Sequence, residues 1–427
     1  MSNYDTIDFF SDQSLVNDPY PYFEHLRAKH PVVYEPAQGT LAITGYDEVC
    51  EVYRRTEDFS SCNSVIGPFA PFPTKPEGDD ISAFVAAHRH QLPMNEHFAT
   101  MDPPEHTKHR SLLHRLLTPR RLKENEDFMW RLADRQIDEF IAKGGCEFIK
   151  EYSKPFALLV VADILGVPEE DHDLVRRHLG LQQPGVMEDG DHEWKALNPL
   201  AFLDKMFTTY IEDRRRAPRE DVLTDLATAT FPDGSVPEPI EVSRVATFVF
   251  GAGQETTARL LATALRMLGE RPDLQERVRG NRDLIPNFIE ECLRYESPVK
   301  ADFRLAKRKT TIGGVDVAAG TTVMLLNAAA NRDPHRFPRP DEFDADRPNA
   351  SEHLSFGRGA HSCPGGPLAR AEGRISIARV LDRMGDIRIS EEHHGPAGNR
   401  RYAYEPSYIL RGLTALHIDF TPLEGGR

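Results

Sequence analysis

Residues 353–372 read His-Leu-Ser-Phe-Gly-Arg-Gly-Ala-His-Ser-Cys-Pro-Gly-Gly-Pro-Leu-Ala-Arg-Ala-Glu, and the reading of the whole chain turns on the cysteine at position 363. Gly357, Gly359, Gly365 and Gly366 surround Cys363, so the backbone there can turn sharply and aim N–H groups at the sulfur. Pro364 stands where the first turn of a following helix is expected, a position that tolerates a missing N–H. The expected setting is therefore a helix N-terminus, whose partial positive charge favours thiolate over thiol. A lone thiolate suits zinc poorly, since structural zinc takes four ligands. It is a good axial ligand for an iron whose equatorial positions are filled by a porphyrin. Phe356 is placed to cover the sulfur and keep water from it.

Composition narrows the alternatives. A chain of 427 residues with 40% hydrophobic and 28% charged residues can bury a large core, and no low-complexity linker divides it. A formal charge of −15 argues against nucleic acid, whose phosphates reward basic surfaces. The five cysteines, Cys50, Cys62, Cys146, Cys292 and Cys363, are odd in number and widely spaced, which suggests a reducing compartment rather than a disulfide framework. The first 21 residues carry acids and prolines with no apolar run, and the most apolar stretch, 156–167, is short and broken by Asp163. Neither a signal peptide nor a membrane anchor is expected, and the expected location is cytoplasmic.

Moving outward, 22–29 reads as a short helix, 32–34 and 41–44 as a hairpin, and 46–55 as a helix. The segment 64–100 has five prolines, two glycines and scattered apolar residues without a period, and reads as a lid over a pocket. Helical spacing returns over 128–142, 156–165 and 199–214, with a polar loop at 182–192. Residues 311–317 and 318–323 read as two Gly-rich hairpins.

Two further stretches carry chemistry. Residues 102–110, Asp-Pro-Pro-Glu-His-Thr-Lys-His-Arg, open a helix on which His106 and Arg110 share a face. Such a pair holds carboxylates, although the spacing alone also fits a solvated surface. The second is 240–269, one long helix, apolar nearly all round at 245–250 and then interrupted by Gly251-Ala252-Gly253-Gln254-Glu255-Thr256-Thr257. Glycines weaken a helix by about 1 kcal/mol each relative to alanine, and a buried acid needs partners. Either the small residues admit a flat ligand and a diatomic molecule, with Thr256 and Glu255 passing protons, or this is a kinked core helix with a back-bonded threonine.

The chain resembles the cytochrome P450 family in its soluble bacterial, ferredoxin-dependent form. The family's haem loop, Phe-x-x-Gly-x-x-x-Cys-x-Gly, is matched by Phe356, Gly359, Cys363 and Gly365. His106 and Arg110 match its propionate-binding His-x-x-x-Arg. Ala252, Gly253, Glu255 and Thr256 match its Ala/Gly-Gly-x-Asp/Glu-Thr. Glu291 and Arg294, ahead of Pro298 and Val299, match its buried Glu-x-x-Arg, with Arg347 as the third member.

The resemblance implies a mainly α-helical single domain over 1–427 with a small β-rich lobe. It implies haem b held by Cys363, with His106, Arg110, Arg304 and His361 on the propionates and Phe356, Gly357, Gly365 and Ala252 near the ring. It implies a dioxygen-dependent monooxygenase in which Glu255 and Thr256 manage protons; a peroxide-driven peroxygenase and a non-catalytic haem sensor are the alternatives. Phe248, Gly251, Val299, Phe303, Ile409 and the 64–100 segment are expected to line the pocket, with a hairpin at 407–413 pointing into it. Those named residues are apolar, so the expected substrate is a hydrophobic small molecule, a terpenoid, steroid or fatty acid. Electrons are expected from a separate ferredoxin and its NAD(P)H-dependent reductase, steered by Lys108, Arg115, Arg120, Arg121, Arg358, Arg370 and Arg374.

Overall fold

A computed structural model describes residues 4–68, 72, 74, 76–172, 174 and 198–423. The expected loop at 182–192, and Phe69 of the expected lid, lie outside the described residues.

The centre of the molecule is the helix Pro239–Glu270, 32 residues and so roughly 48 Å long. Its start is set by local chemistry. Pro239 occupies the first turn, and Glu238 and Glu241 form a reciprocal capping box that satisfies two otherwise orphaned N–H groups. The helices Lys154–Leu165, Ala201–Arg216, Ile285–Tyr295 and Gly366–Arg383 pack around it. The glycines that weaken the helix let neighbours approach. A Cβ at Gly253 would come within 3.0 Å of Val161, and one at Gly269 within 2.8 Å of Ile389.

The β-rich lobe is a five-stranded sheet in the order Val32–Tyr34, Leu41–Ile43, Thr322–Leu325, Asp302–Ala306, Phe59–Ser60. Leu41–Ile43 and Thr322–Leu325 run parallel, with Leu41 opposite Val323, and the other pairs are antiparallel. A three-stranded sheet joins Gly145–Glu147, His417–Pro422 and Met384–Ile389. The hairpin Thr310–Ile312 and Val315–Val317 turns at Gly313 and Gly314, whose φ of 53° and 81° belong to the left-handed region. The mainly helical architecture with small sheets is as expected.

Several expectations shift. Residues 318–323 form no hairpin; Thr322–Leu325 is an inner strand of the larger sheet. The helix expected from 128 begins at Pro119, because Thr118 Oγ1 accepts from Arg121 N and Pro119 fits the first turn. The 64–100 segment is not wholly irregular. It carries the helix Ser82–His88 and the 3₁₀ turns Arg89–Gln91 and Phe98–Thr100, pinned where Val85 and Leu92 pack on Cys62, Ile81 and Leu305. At 407–413 there are isolated bridges, Val299 to Leu410 and Tyr404 to Leu413, in place of a strand pair. Among the described residues no helix is long and apolar enough to cross a membrane.

Glu291, Arg294 and Arg347 form a buried ionic triad. Glu291 accepts from Arg294 Nε and Nη2 at 2.7 and 2.8 Å and from Arg347 Nε at 3.1 Å. Both guanidinium groups also donate to carbonyls of the 338–342 turn, Arg294 to Pro340 and Glu342, and Arg347 to Pro338, Arg339 and Glu342. The triad thus fixes the chain shortly before it enters the cysteine loop.

Candidate active site

The cysteine loop is shaped by backbone before any side chain acts. Cys363 N donates to Phe356 O at 2.8 Å, closing the loop on itself. Gly359 has φ 69°, and a Cβ there would lie 2.4 Å from Tyr53 O, so the loop sits directly on the end of the helix Tyr46–Arg54. The following helix begins at Gly366 with Pro367, not Pro364, in its first turn. Cys363 therefore stands just ahead of the helix rather than at its first residue.

Phe356, expected to cover the sulfur, is held in place by its neighbours. It packs against Gly366 and lies under the Arg370 guanidinium at 4.6 Å. Arg370 is fixed in turn by two bonds to Glu290, at 2.6 and 3.0 Å, and Glu290 meets His353 at 3.2 Å.

The other four cysteines are buried; Cys363 is exposed. Burial nonetheless pushes its thiol up, opposed by the Gly365 N–H, the Arg110 guanidinium and the Gly366 N–H. A sulfur that is exposed and yet surrounded by protein faces a space within the molecule. In this environment burial outweighs the nearby N–H groups, so the helix N-terminus expected to favour thiolate is opposed by the loss of solvation.

Ala252 is exposed in the middle of the central helix, which is otherwise packed by helices. Gly251 beside it lies against Leu200, 3.4 Å from where a Cβ would stand. Thr256 Oγ1 donates to Ala252 O at 3.0 Å, the back-bonded arrangement left open by the sequence. Glu255 is ion-paired with Arg259 at 2.9 Å and Lys154 at 3.8 Å. Sequence reading passed over both cations. Arg259 was visible as the i+4 partner of Glu255, whereas Lys154 was not.

A second feature of this space is a cationic cradle with missing partners. His106 and His361, from separate segments, have ring centres 3.8 Å apart. Both His106 nitrogens and His361 Nε2 are buried without a hydrogen-bond partner. Burial, then the Arg110 charge, depresses His106 to about 4. Burial, then Arg304, His106 and Arg110, depresses His361 to about 2. Arg110 donates to Ser362 O in the cysteine loop. Arg304 is already engaged by Asp302 at 2.9 Å and by Phe303 O at 2.6 Å. Each neutral imidazole offers one N–H, and these two donors beside two guanidinium groups suit an anionic ligand with several oxygens.

The candidate substrate residues divide. Phe248 is half-buried and meets Phe98 edge-on at 5.0 Å, joining the central helix to the 64–100 segment. Val299 is half-buried and Ile409 is 7% exposed. Phe303 does not reach open space. Its ring is fully buried against Phe10 and Tyr408, because its strand turns that side toward the N-terminal core.

The expected basic patch is largely neutralised. Arg120 pairs with Glu124, Arg121 with Asp225, Arg370 with Glu290 and Arg374 with Glu126. Lys108 lies over the Phe231 ring at 4.3 Å, and Arg358 donates to Glu352 O.

A sequence model described as Cytochrome P450 matches residues 190–384. The solved structure of Mycobacterium marinum cytochrome P450 CYP150A6, in the substrate-free form, shares 61% identity at a TM-score of 0.92, covering 99% of this chain and 100% of that one. Cytochrome P450 144 of Mycobacterium tuberculosis is 34% identical, over 96% of this chain and 90% of that protein. The chain belongs to the cytochrome P450 family. Cytochrome P450 109 of Bacillus spizizenii is a further relative, 33% identical over 94% of this chain and 92% of its own length. As a P450 the chain is a haem-thiolate monooxygenase that carries haem b and works with dioxygen and a redox partner. The residues fit that group: Cys363 alone of the five thiols is exposed, the central helix bares Ala252 among small residues, and unpartnered imidazole nitrogens suit propionates.

Proposed function

We propose that this P450 inserts one oxygen atom into a largely hydrophobic small molecule, using electrons from a separate ferredoxin, with residues 1–427 acting as one catalytic unit. The observation that carries the site assignment is the interior Cys363 thiol together with the orphaned nitrogens of His106 and His361. Cys363 would hold the iron, and His106, Arg110 and His361 would hold the propionates, with Arg304 supporting them through its charge. When bound, haem b supplies the oxidising power for cleavage of dioxygen and attack on the substrate.

The chain's own residues do the rest. Phe356 excludes water from the Cys363 sulfur, and its N–H neighbours Gly365 and Gly366 temper the charge there. Thr256 can exchange its bond to Ala252 O for one directed into the space at Ala252, presenting a hydroxyl that donates and accepts. Glu255, open at one side to solvent, takes a proton from water and gives one up on the Thr256 side. Phe248, Gly251, Val299 and Ile409 offer an apolar wall, which favours a hydrophobic substrate. CYP109E1 of Bacillus megaterium, 26% identical with a TM-score of 0.78, has been solved in complex with corticosterone, and that ligand class supports the same reading. Free cysteines throughout support a cytoplasmic location.

The test is Thr256→Ala in a system reconstituted with ferredoxin, its reductase and NAD(P)H. Electron consumption should continue while product per electron falls several-fold; unchanged coupling refutes the role of Thr256. Turnover by peroxide alone at an equal rate would favour a peroxygenase. A screen of apolar compounds for a shift of the Soret band identifies the substrate class.

A further inference from the structure

The acid of the central helix is not an isolated carboxylate. Glu255 and Glu405 face the same two cations. Arg259 donates from Nη1 to Glu255 at 2.9 Å and from Nη2 to Glu405. Lys154 Nζ lies 3.8 Å from Glu255 and 3.9 Å from Glu405. The four form a charge-balanced square in which each acid touches both bases. Exposure is graded across it: the Lys154 side chain is 43% exposed, Glu255 25%, Arg259 5% and Glu405 8%. Water therefore reaches Glu255 from the Lys154 side, while Arg259 and Glu405 form the buried floor.

The C-terminal segment is shaped around Arg259. A Cβ at Gly412 would lie 2.5 Å from Arg259 Cγ and 2.7 Å from its Cδ, so the arginine stem passes through the space that only glycine leaves. Glu405 N donates to Gly412 O at 3.0 Å, which fixes the acid and the slot relative to each other. Ile409, one of the apolar wall residues, lies in the same turn between them.

We propose that Arg259 and Glu405 are positioning residues for the reaction: they set where the Glu255 carboxylate points and how readily it exchanges its proton between water and the Thr256 side. This rests on the reading of Glu255 as the proton-handling acid. Arg259 divided between two acids holds Glu255 loosely enough for it to turn. With one acid removed, both cations act on the other. The turn that seats substrate at Ile409 thereby also governs the acid, so a ligand pressing on that turn bears on proton delivery.

The experiment compares Arg259→Gln, Arg259→Lys, Glu405→Gln, Gly412→Ala and Glu255→Gln as haem-loaded proteins. Crystal structures give a readout independent of turnover: the Glu255 side chain leaves residue 259 in Arg259→Gln and Gly412→Ala, and keeps its place in Arg259→Lys and Glu405→Gln. Coupling measured against pH gives a second. Losing an anion in Glu405→Gln moves its half-maximal pH down by about one unit, and losing a cation in Arg259→Gln moves it up by about as much. Arg259→Lys stays near the parent. Glu255 unmoved in both Arg259→Gln and Gly412→Ala, or pH shifts of the same sign or absent in Arg259→Gln and Glu405→Gln, overturns the proposal. Normal coupling in Glu255→Gln instead refutes the role of Glu255 itself, and the crystallographic positions then still decide whether Arg259 places it.

Discussion

Glu291→Gln is the sharpest test of how the cysteine loop is held. The carboxylate has no exposed surface, and neither has Arg294; Arg347 is 4% exposed. Besides its bonds to both guanidinium groups, Glu291 accepts from Asp344 N at 2.9 Å. The amide keeps the shape but removes the anion that pairs with both buried cations. Breaking a buried ion pair by removing one partner costs about 3–5 kcal/mol, because a charge is left uncompensated. A 427-residue chain unfolds with roughly 0.9 kcal/mol/K of entropy, at about 2.1 cal/mol/K per residue, so that loss lowers the midpoint by only about 3–6 °C. Urea titration at constant temperature reads the same loss as a larger fractional change. The haem-loaded protein is followed by far-ultraviolet circular dichroism for the fold and by the Soret band for the loop. Loss of the Soret band should precede loss of helix, since the triad ties down the 338–342 turn ahead of the loop. Glu124→Gln, which breaks an exposed pair with Arg120, should leave the midpoint unchanged. A Glu291→Gln midpoint within about 1 °C of the parent would mean that the surrounding carbonyls alone neutralise the two cations, and the reasoning fails.

Other outcomes follow from the same geometry. His361 and His106 have folded values depressed to about 2 and about 4 from 6.5, so the unfolded chain binds protons first as pH falls. The haem-free protein should keep its stability above pH 6.5 and lose it progressively below, the His106 share complete near 4 and the His361 share continuing toward 2. Urea midpoints across that range should flatten in His361→Asn. Gly359→Ala forces a side chain against Tyr53 O at φ 69° and should sharply lower haem retention, read from the ratio of Soret to protein absorbance. Glu372 is buried with nothing but burial acting on it, which pushes its carboxyl well up. Its penalty grows as pH rises past the ordinary value of 4.5, so Glu372→Gln should stabilise the protein at neutral pH and the gain should vanish in acid.

What the sequence revealed and what it hid have different physical origins. The central helix was legible at both ends because its start is local: Pro239 and the Glu238–Glu241 box lie within a few residues. The cysteine loop was legible because its glycines are demanded by backbone turns and by Tyr53. Thr322–Leu325 was misread as part of a hairpin because its partners lie twenty and 280 residues away, and no local period encodes a partner. The polar start of the helix Pro119–Asp138 was missed because its exposed face carries no apolar repeat. At the site, Glu255 and Thr256 were found by motif, but the square that holds Glu255 was not: Lys154 and Glu405 come from distant segments, and only folding brings them to Arg259. Phe303 was expected on the pocket wall from the family resemblance alone; neighbours along a strand face opposite sides, and which side meets the pocket is a tertiary fact.

The parallel pairing of Leu41–Ile43 with Thr322–Leu325 also has a temporal side. At a synthesis rate of 5–20 residues per second, roughly 15–60 s separate the appearance of the first strand at the ribosome from that of its inner neighbour. Throughout that interval Leu41, Ala42 and Ile43, all fully buried in the finished protein, offer an apolar strand with one unpaired side. Nascent chains of this enzyme are therefore expected to need a holding chaperone, and overproduction at low temperature, which slows collisions between waiting strands, should raise the soluble yield more than added haem does.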